Sequence, residues 1–183
     1  MTSLPRPSPT NDVPSARRPF ARVAWPLAAA LVLADCASKR AVEAVLPAAG
    51  ASRPVLGGIV RFTLAYNQGA AFSSHFGPYQ RWVLVALTLG VLVALGRWAP
   101  HAAAAGRAAL FGVTLVGAGA VGNLLDRLAS DRGVVDFIDV GVGATRFYVF
   151  NVADVCVTAG GALLAYAIWR TADRPLAESP PRP

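Results

Sequence analysis

The chain has 183 residues, of which 55% are hydrophobic and only 15% are charged, whereas a soluble domain carries about 25% charged residues. This balance excludes a disordered chain, and two cysteines are too few for a disulfide-rich secreted fold. The net charge of +7 comes from basic residues scattered along the chain, so it does not indicate a nucleic-acid partner.

Four apolar segments lie between two polar ends. The ends, at 1–21 and 171–183, are rich in proline, serine and arginine, and we expect them to be disordered tails. The domain between them, at 22–170, contains apolar segments at 23–34, 82–96, 108–125 and 147–169. A helix that spans a bilayer needs about 20 apolar residues, so the last two segments fit directly and the first two fit with flanking residues. We therefore predict an all-α membrane protein with four transmembrane helices. Segments with almost no polar face disfavour a soluble helical bundle.

The segment at 45–80 has a different character. Its β-branched and aromatic residues around Gly57 and Gly58 are typical of short strands and turns. We expect a small extracytoplasmic β-cradle here, with 127–148 also outside the membrane and near its surface. Four spans place both termini on one side with a slight excess of basic residues, and the positive-inside rule then favours cytoplasmic termini.

Asp35 and Lys39 are ionisable residues inside or beside the first apolar segment. Such residues are costly in a membrane and suggest a functional site. Their spacing of four places them on one helix face. We expect an ion pair that holds the end of this helix.

Three aspartates follow or begin the last two apolar segments, namely Asp126, Asp136 and Asp154. If a loop connects the segments, all three lie near one membrane surface. Two carboxylates that approach closely cannot both ionise easily, and such a pair can act as base and acid on a water molecule. The alternative is structural: these aspartates cap helices, or Asp126 pairs with the adjacent Arg127. Asp136 has no cation nearby in sequence, which favours the catalytic interpretation for that residue.

Other chemistries lack the residues that they require. His75, His101, Cys36 and Cys156 are dispersed without metal-ligand spacing, so we expect neither a metal nor a cofactor. A proton-coupled transporter could use intramembrane acids as a relay, but these polar residues gather at one end of the apolar segments. A purely structural assembly subunit would leave the two Asn-x-x-Asp sequences, at 123–126 and 151–154, without a purpose.

Five sequence blocks in this order resemble the signature blocks of bacterial lipoprotein signal peptidase (signal peptidase II). The blocks are DCASK at 35–39, YNQGAAFS at 66–73, GNLLDR at 122–127, VVDF at 134–137 and FNVAD at 150–154. The resemblance covers about 22–170 and leaves out only the tails. It departs from the family at Cys36, where glutamine is usual, and at Val155, where a serine hydroxyl is usual beside the last aspartate.

The resemblance implies an aspartic endopeptidase of the bacterial inner membrane that uses no metal. It would remove the signal peptide of a prolipoprotein by cutting just before the diacylglyceryl-modified cysteine. The matching positions imply a catalytic pair (Asp136 and Asp154), residues that hold the substrate or order the site (Asn67, Gly69, Asn123, Arg127 and Asn151) and structural residues (Asp35, Lys39 and Asp126). The expected partners are the prolipoprotein and membrane lipids. A monomer suffices, because every site residue lies in one chain.

Overall fold

The computed structural model describes residues 17–69 and 79–172. Its helices are α1 (Arg17–Val45), α2 (Gln80–Ala105), α3 (Arg107–Ala129) and α4 (Val152–Ala172). Residues 17–21 and 171–172 of the predicted tails therefore belong to α1 and α4, and the remainder of both tails lies outside the described residues. So do His75 and residues 70–73 of one signature block.

Three helices of the described chain are long and apolar enough to cross a membrane, namely α2, α3 and α4. Apolar side chains such as Leu87 and Val93 are more than half exposed on α2. Exposed apolar stripes of this kind suit contact with lipid. Three of the four predicted segments are thus candidate membrane-spanning helices. The remaining helix, α1, carries Asp35, Lys39 and flanking arginines.

The other regular structure is a four-stranded antiparallel sheet. Its strands β1 (Ser52–Leu56), β2 (Val60–Asn67), β3 (Val134–Val142) and β4 (Thr145–Arg146) are hydrogen-bonded in sequence order. A mostly helical fold with a small sheet and strands within 45–80 is confirmed. The segment at 127–148, for which no strands were predicted, supplies the other two strands. The last apolar segment also differs from the prediction, since its helix begins at Val152 and the residues before it run alongside β3.

Successive side chains of β2 and β3 point to opposite faces of the sheet, and the two faces carry different residues. Leu64, Val135 and Phe137 pack with Val42 of α1 and with Leu46, which directly follows that helix, in a buried apolar cluster. Opposed residues of an antiparallel pair point to the same side. The register pairs Asp136 with Ala65 and Asn67 with Val134. Asp136 and Asn67 therefore share the face opposite the apolar cluster.

Small residues bring α3 and α4 close together. A Cβ atom on Gly119 would collide with the carbonyl oxygen of Ala153 and lie 2.8 Å from a methyl carbon of Val157. A Cβ atom on Gly160 would lie 2.7 Å from the backbone nitrogen of Val116. Close backbone approach at small residues is a common way to pack helices in membranes. The start of α4 is thereby fixed against the last turns of α3.

Candidate active site

Asp136 and Asp154 are brought together by Asn151. Asp136 is buried on β3, and Asp154 lies in the first turn of α4. The Asn151 side-chain Nδ2 donates to Asp136 Oδ1 at 2.6 Å, while its backbone N–H donates to Asp154 Oδ2 at 3.1 Å. One fully buried residue thus binds a carboxylate from the sheet and a carboxylate from the helix.

Asp154 also takes part in the cap of α4. Its backbone N–H donates to Asn151 Oδ1 at 2.9 Å, and its carboxylate returns a contact to the Asn151 N–H. This reciprocal pattern is a capping box, in which the residue before the helix and the third helical residue satisfy each other. The capping and catalytic interpretations of Asp154 are compatible, because Asp154 Oδ1 is left to face other partners. The positive end of the helix dipole favours a negative charge there.

Two further asparagines donate to the same carboxylates. Asn67 Nδ2 donates to Asp136 Oδ2 at 3.0 Å, and Asn123 Nδ2 donates to Asp154 Oδ1 at 2.9 Å. The backbone N–H of Gly69 donates to Asn67 Oδ1 at 3.0 Å, which fixes the orientation of that amide. The structure therefore brings Asn67, Asn123 and Asn151 onto the two aspartates, with Gly69 acting through Asn67.

Arg127 lies beside this group and binds backbone carbonyls. Its guanidinium donates to the carbonyl oxygens of Asn123 at 3.3 Å and Gly69 at 3.4 Å. Arg81 of α2, which the sequence marks only as the boundary of an apolar segment, donates to the carbonyls of Arg127 at 2.5 Å and Leu128 at 3.0 Å. It thus satisfies carbonyl groups at the C-terminal end of α3 that have no partner within the helix.

The electrostatics of Asp136 suit a proton donor. Burial, and to a lesser degree the nearby Asp154 carboxylate, raise the pKa of its carboxyl from 3.8 to about 6. The hydrogen bonds from Asn67 and Asn151 and the charge of Lys39 act in the opposite direction, without cancelling the rise. A carboxyl that keeps its proton beside a second carboxylate is the arrangement that acid–base chemistry on a water molecule requires.

The predicted structural residues form an ionic cluster in which Asp35 and Lys39 are buried, and Asn123 joins this cluster to Asp154. Lys39 Nζ lies 2.7 Å from Asp35 Oδ2, as the spacing of four predicts, and 2.8 Å from Asp126 Oδ2. Asp126 also accepts the backbone N–H of Val135 at 3.2 Å. The suggested pairing of Asp126 with adjacent Arg127 is wrong, because Asp126 turns towards α1 and β3 whereas Arg127 binds carbonyls.

Two acidic residues without a predicted role, Glu43 and Asp139, form ion pairs with arginines. Glu43 binds Arg132 at 3.1 Å and accepts from the Tyr66 hydroxyl at 2.9 Å, beside an open cavity of about 500 Å³. Asp139 binds Arg146 at 2.8 Å, and this hydrogen bond holds the pKa of Asp139 below its ordinary value. The cavity is lined by Glu43 of α1 and by Tyr66, which points to the face of β2 opposite Asn67. It is therefore separate from the aspartate pair.

No group of three His, Cys, Asp or Glu side chains among residues 17–69 and 79–172 is placed to hold a metal ion. Cys36 and Cys156 are free thiols, and Cys156 is buried. Val155, the position without the usual hydroxyl, is 48% exposed on α4. The prediction that the chemistry needs neither metal nor cofactor remains a prediction.

Comparisons with known proteins identify one family. A family model described as signal peptidase (SPase) II matches residues 27–170. A lipoprotein signal peptidase of Xanthomonas oryzae pv. oryzae is 37% identical over 139 residues, which are 74% of this chain and 82% of that protein. Those of Hydrogenovibrio crunogenus and Cupriavidus taiwanensis are 40% and 42% identical, over 57% and 63% of this chain. These two matches span 62% and 65% of the relatives, less than two thirds of their length.

Solved structures of bacterial membrane enzymes have the same fold. One, determined by the in meso method at 2.3 Å, superposes with a TM-score of 0.72 at 24% identity and covers 87% of this chain and 95% of its own. A second, at 1.9 Å, gives a TM-score of 0.67 at 26% identity, with 87% and 96% coverage. The chain therefore shares the fold of these membrane enzymes over most of its length.

Proposed function

The chain belongs to the signal peptidase II family, and we propose that it is a membrane aspartic endopeptidase that removes the signal peptide from lipid-modified prolipoproteins. The observation that carries this proposal is the bridge from Asn151 to both Asp136 and Asp154. This bridge holds two carboxylates in unequal environments close enough together to act on one peptide bond. Cleavage would occur just before the diacylglyceryl-modified cysteine.

The two aspartates would have different tasks. Asp154, at the positive end of α4, is the ionised base that takes a proton from water. The water oxygen then attacks the scissile carbonyl carbon, and Asp136 donates its proton to the carbonyl oxygen. When the carbon–nitrogen bond breaks, the proton held by Asp154 passes to the leaving amide nitrogen. As the C=O bond re-forms, one hydroxyl of the tetrahedral intermediate returns its proton to Asp136, which restores the starting state of the pair. Arg127, which reaches towards Gly69, would help to hold the substrate backbone.

The membrane placement completes the proposal. We place α1 as a fourth span, both termini in the cytoplasm and the aspartate pair near the extracytoplasmic surface of the inner membrane. The acyl chains of the substrate would remain in the bilayer, beside apolar side chains that α2 and α4 expose, such as Leu87 and Ile168. A monomer would be sufficient. A transmembrane proton relay is less well supported, because the described acids gather at one end of the helices.

The purified full-length chain should cleave a diacylglyceryl-modified prolipoprotein in detergent and leave the unmodified precursor intact. A chelator such as EDTA should leave this rate unchanged, because the proposed chemistry uses only carboxylates and water. Cleavage would be followed by the mobility and mass of the product. Equal cleavage of the unmodified precursor would contradict the proposed substrate, and loss of activity in EDTA that zinc restores would contradict the aspartic mechanism.

The rate should also depend on pH in a defined direction. Because the pKa of Asp136 is about 6, its carboxyl loses the proton as the pH rises above that value, and the site then lacks its acid. The profile of kcat/KM reports the ionisations of the free enzyme, so it should fall with a midpoint at or above about pH 6. Measurements from about pH 5 to about pH 9 check this prediction. A flat profile over that range would contradict the assignment of Asp136 as the acid.

A further inference from the structure

Lys39, the single lysine of the sequence, has more contacts than charge neutralisation requires. Its side chain is 2% exposed, and its ammonium lies against three acceptors on two helices. Two of them are the carboxylates of Asp35 and Asp126, at 2.7 and 2.8 Å. The third is the side-chain oxygen of Asn123, at 3.2 Å. Asn123 is the member of this group that also contacts the catalytic pair.

The contact with Lys39 fixes the orientation of the Asn123 amide. Asn123 Oδ1 accepts from Lys39 and from Asn151 Nδ2, which leaves Asn123 Nδ2 to donate to Asp154. A reversed amide would turn its oxygen towards the Asp154 carboxylate and its NH₂ group towards the ammonium, so both contacts would become repulsive. The amides of Asn67 and Asn151 are oriented by backbone N–H groups. Both donors to Asn123 Oδ1 are instead side chains, those of Lys39 and Asn151.

Lys39 reaches the same catalytic aspartate by a second route. Asp35 Oδ1 accepts the backbone N–H of Ala153 at 2.8 Å, so a carboxylate of α1 caps the first turn of α4. Ala153 directly precedes Asp154. The approach depends on Gly122, since a Cβ atom there would lie 2.6 Å from Asp35 Oδ2. Lys39 holds the other side of the Asp35 carboxylate through their ion pair.

We propose that Lys39 is a positioning residue for the catalytic pair, which it serves by orienting Asn123 and by holding Asp35 against the start of α4. This inference rests on the proposed function. It gives the cluster of Asp35, Lys39 and Asp126 a task in the reaction in addition to joining α1 to α3. Lys39 does not touch the reacting atoms and acts through its neighbours.

The test compares Lys39→Met with the double variant Lys39→Met/Asp126→Asn. The single variant leaves the Asp35 and Asp126 carboxylates without their cation, and this loss by itself can prevent folding. The double variant removes one positive and one negative charge and keeps an acceptor for the Val135 N–H. Ser38→Ala is the matched control, because the Ser38 hydroxyl donates to the Asp35 carbonyl within α1. Each variant is purified, its folded fraction is measured by thermal unfolding, and kcat, KM and the pH profile are determined on the modified prolipoprotein.

We expect the double variant to fold, with KM nearly unchanged and kcat lowered about 10- to 100-fold, the same scale as the loss when a partner that orients a metal ligand is removed. The groups that face Asp136 are Asp154 and Asn151 of the α4 start, Asn67 of β2, Arg127 of α3 and Lys39 of α1. Because Lys39 lowers the pKa of Asp136, its loss should move the falling limb of the profile to higher pH.

A purely structural role predicts a different result for the same variants. In that case the folded double variant would regain the wild-type kcat and the wild-type pH profile, and this result would overturn the inference. Failure of the wild-type chain to cleave the substrate would contradict the proposed function instead, so the two failures are distinguishable. Ser38→Ala should match the wild-type chain in all three readouts.

Discussion

Asp136→Asn and Asp154→Asn should each lower kcat by about 10³-fold or more, because positioned proton transfer contributes about 10²- to 10⁴-fold and neither amide can accept or hold the transferred proton. The loss has a second source at Asp136. Both of its oxygens accept amide hydrogens, from Asn151 and Asn67. An asparagine must present its NH₂ group to one of these donors. Single-turnover cleavage of a lipid-modified prolipoprotein measures the effect.

Asp131→Asn is the matched control for this experiment. Asp131 is an exposed aspartate in the turn between α3 and β3, so the same change there should leave turnover close to that of the wild-type chain. Insertion and folding of all three variants are compared by extraction in detergent and by thermal unfolding. Near-normal turnover by folded Asp136→Asn or Asp154→Asn would show that the pair is not the catalytic machinery.

Gly119→Ala should have the second-largest effect, although Gly119 does not touch either aspartate. Its new Cβ atom would collide with the Ala153 carbonyl oxygen and press on Val157, both in the first turns of α4. Backbone atoms cannot turn away as a side chain can, so α4 must shift from α3 and carry Asp154 with it. A displacement of about 1 Å can cost about 100-fold in rate. Overpacking of this kind also costs about 1–3 kcal/mol of stability.

Gly117→Ala provides a closely matched comparison on the same helix. A Cβ atom on Gly117 meets no neighbour within 4 Å, so this variant should keep the wild-type kcat and melting temperature. The comparison removes the general effect of replacing a helical glycine by alanine. Equal activity of folded Gly119→Ala and Gly117→Ala would contradict the claim that α3 sets the position of Asp154.

Local spacing was sufficient to predict some of these features. Asp35 and Lys39 pair because residues four apart share a helix face, and that relation needs no knowledge of the fold. The start of α4 was also encoded locally, since Asn151 followed three residues later by an acid is a helix-start pattern. The apolar residues at 147–150 concealed this start, because hydropathy alone does not distinguish a buried extended segment from the end of a span.

Features that depend on long-range pairing were not predictable from the sequence. Asp136 lies on a strand because β3 pairs with β2 about 70 positions earlier, and no local pattern specifies that partner. The same is true of Glu43 with Arg132, which are 89 residues apart, and of the cap that Asp35 places on α4. Polar residue types indicated where the candidate site lies, whereas the network that orients it depends on tertiary structure.

The mass of the products formed from a diacylglyceryl-modified prolipoprotein tests the central claim most directly. The proposed mechanism predicts two products whose masses together equal the substrate plus one water, with the lipid-modified cysteine as the first residue of the mature chain. Both products should be absent when Asp154→Asn replaces the wild-type chain. A cut at any other bond, or the same two products from folded Asp154→Asn, would contradict cleavage by the pair of Asp136 and Asp154.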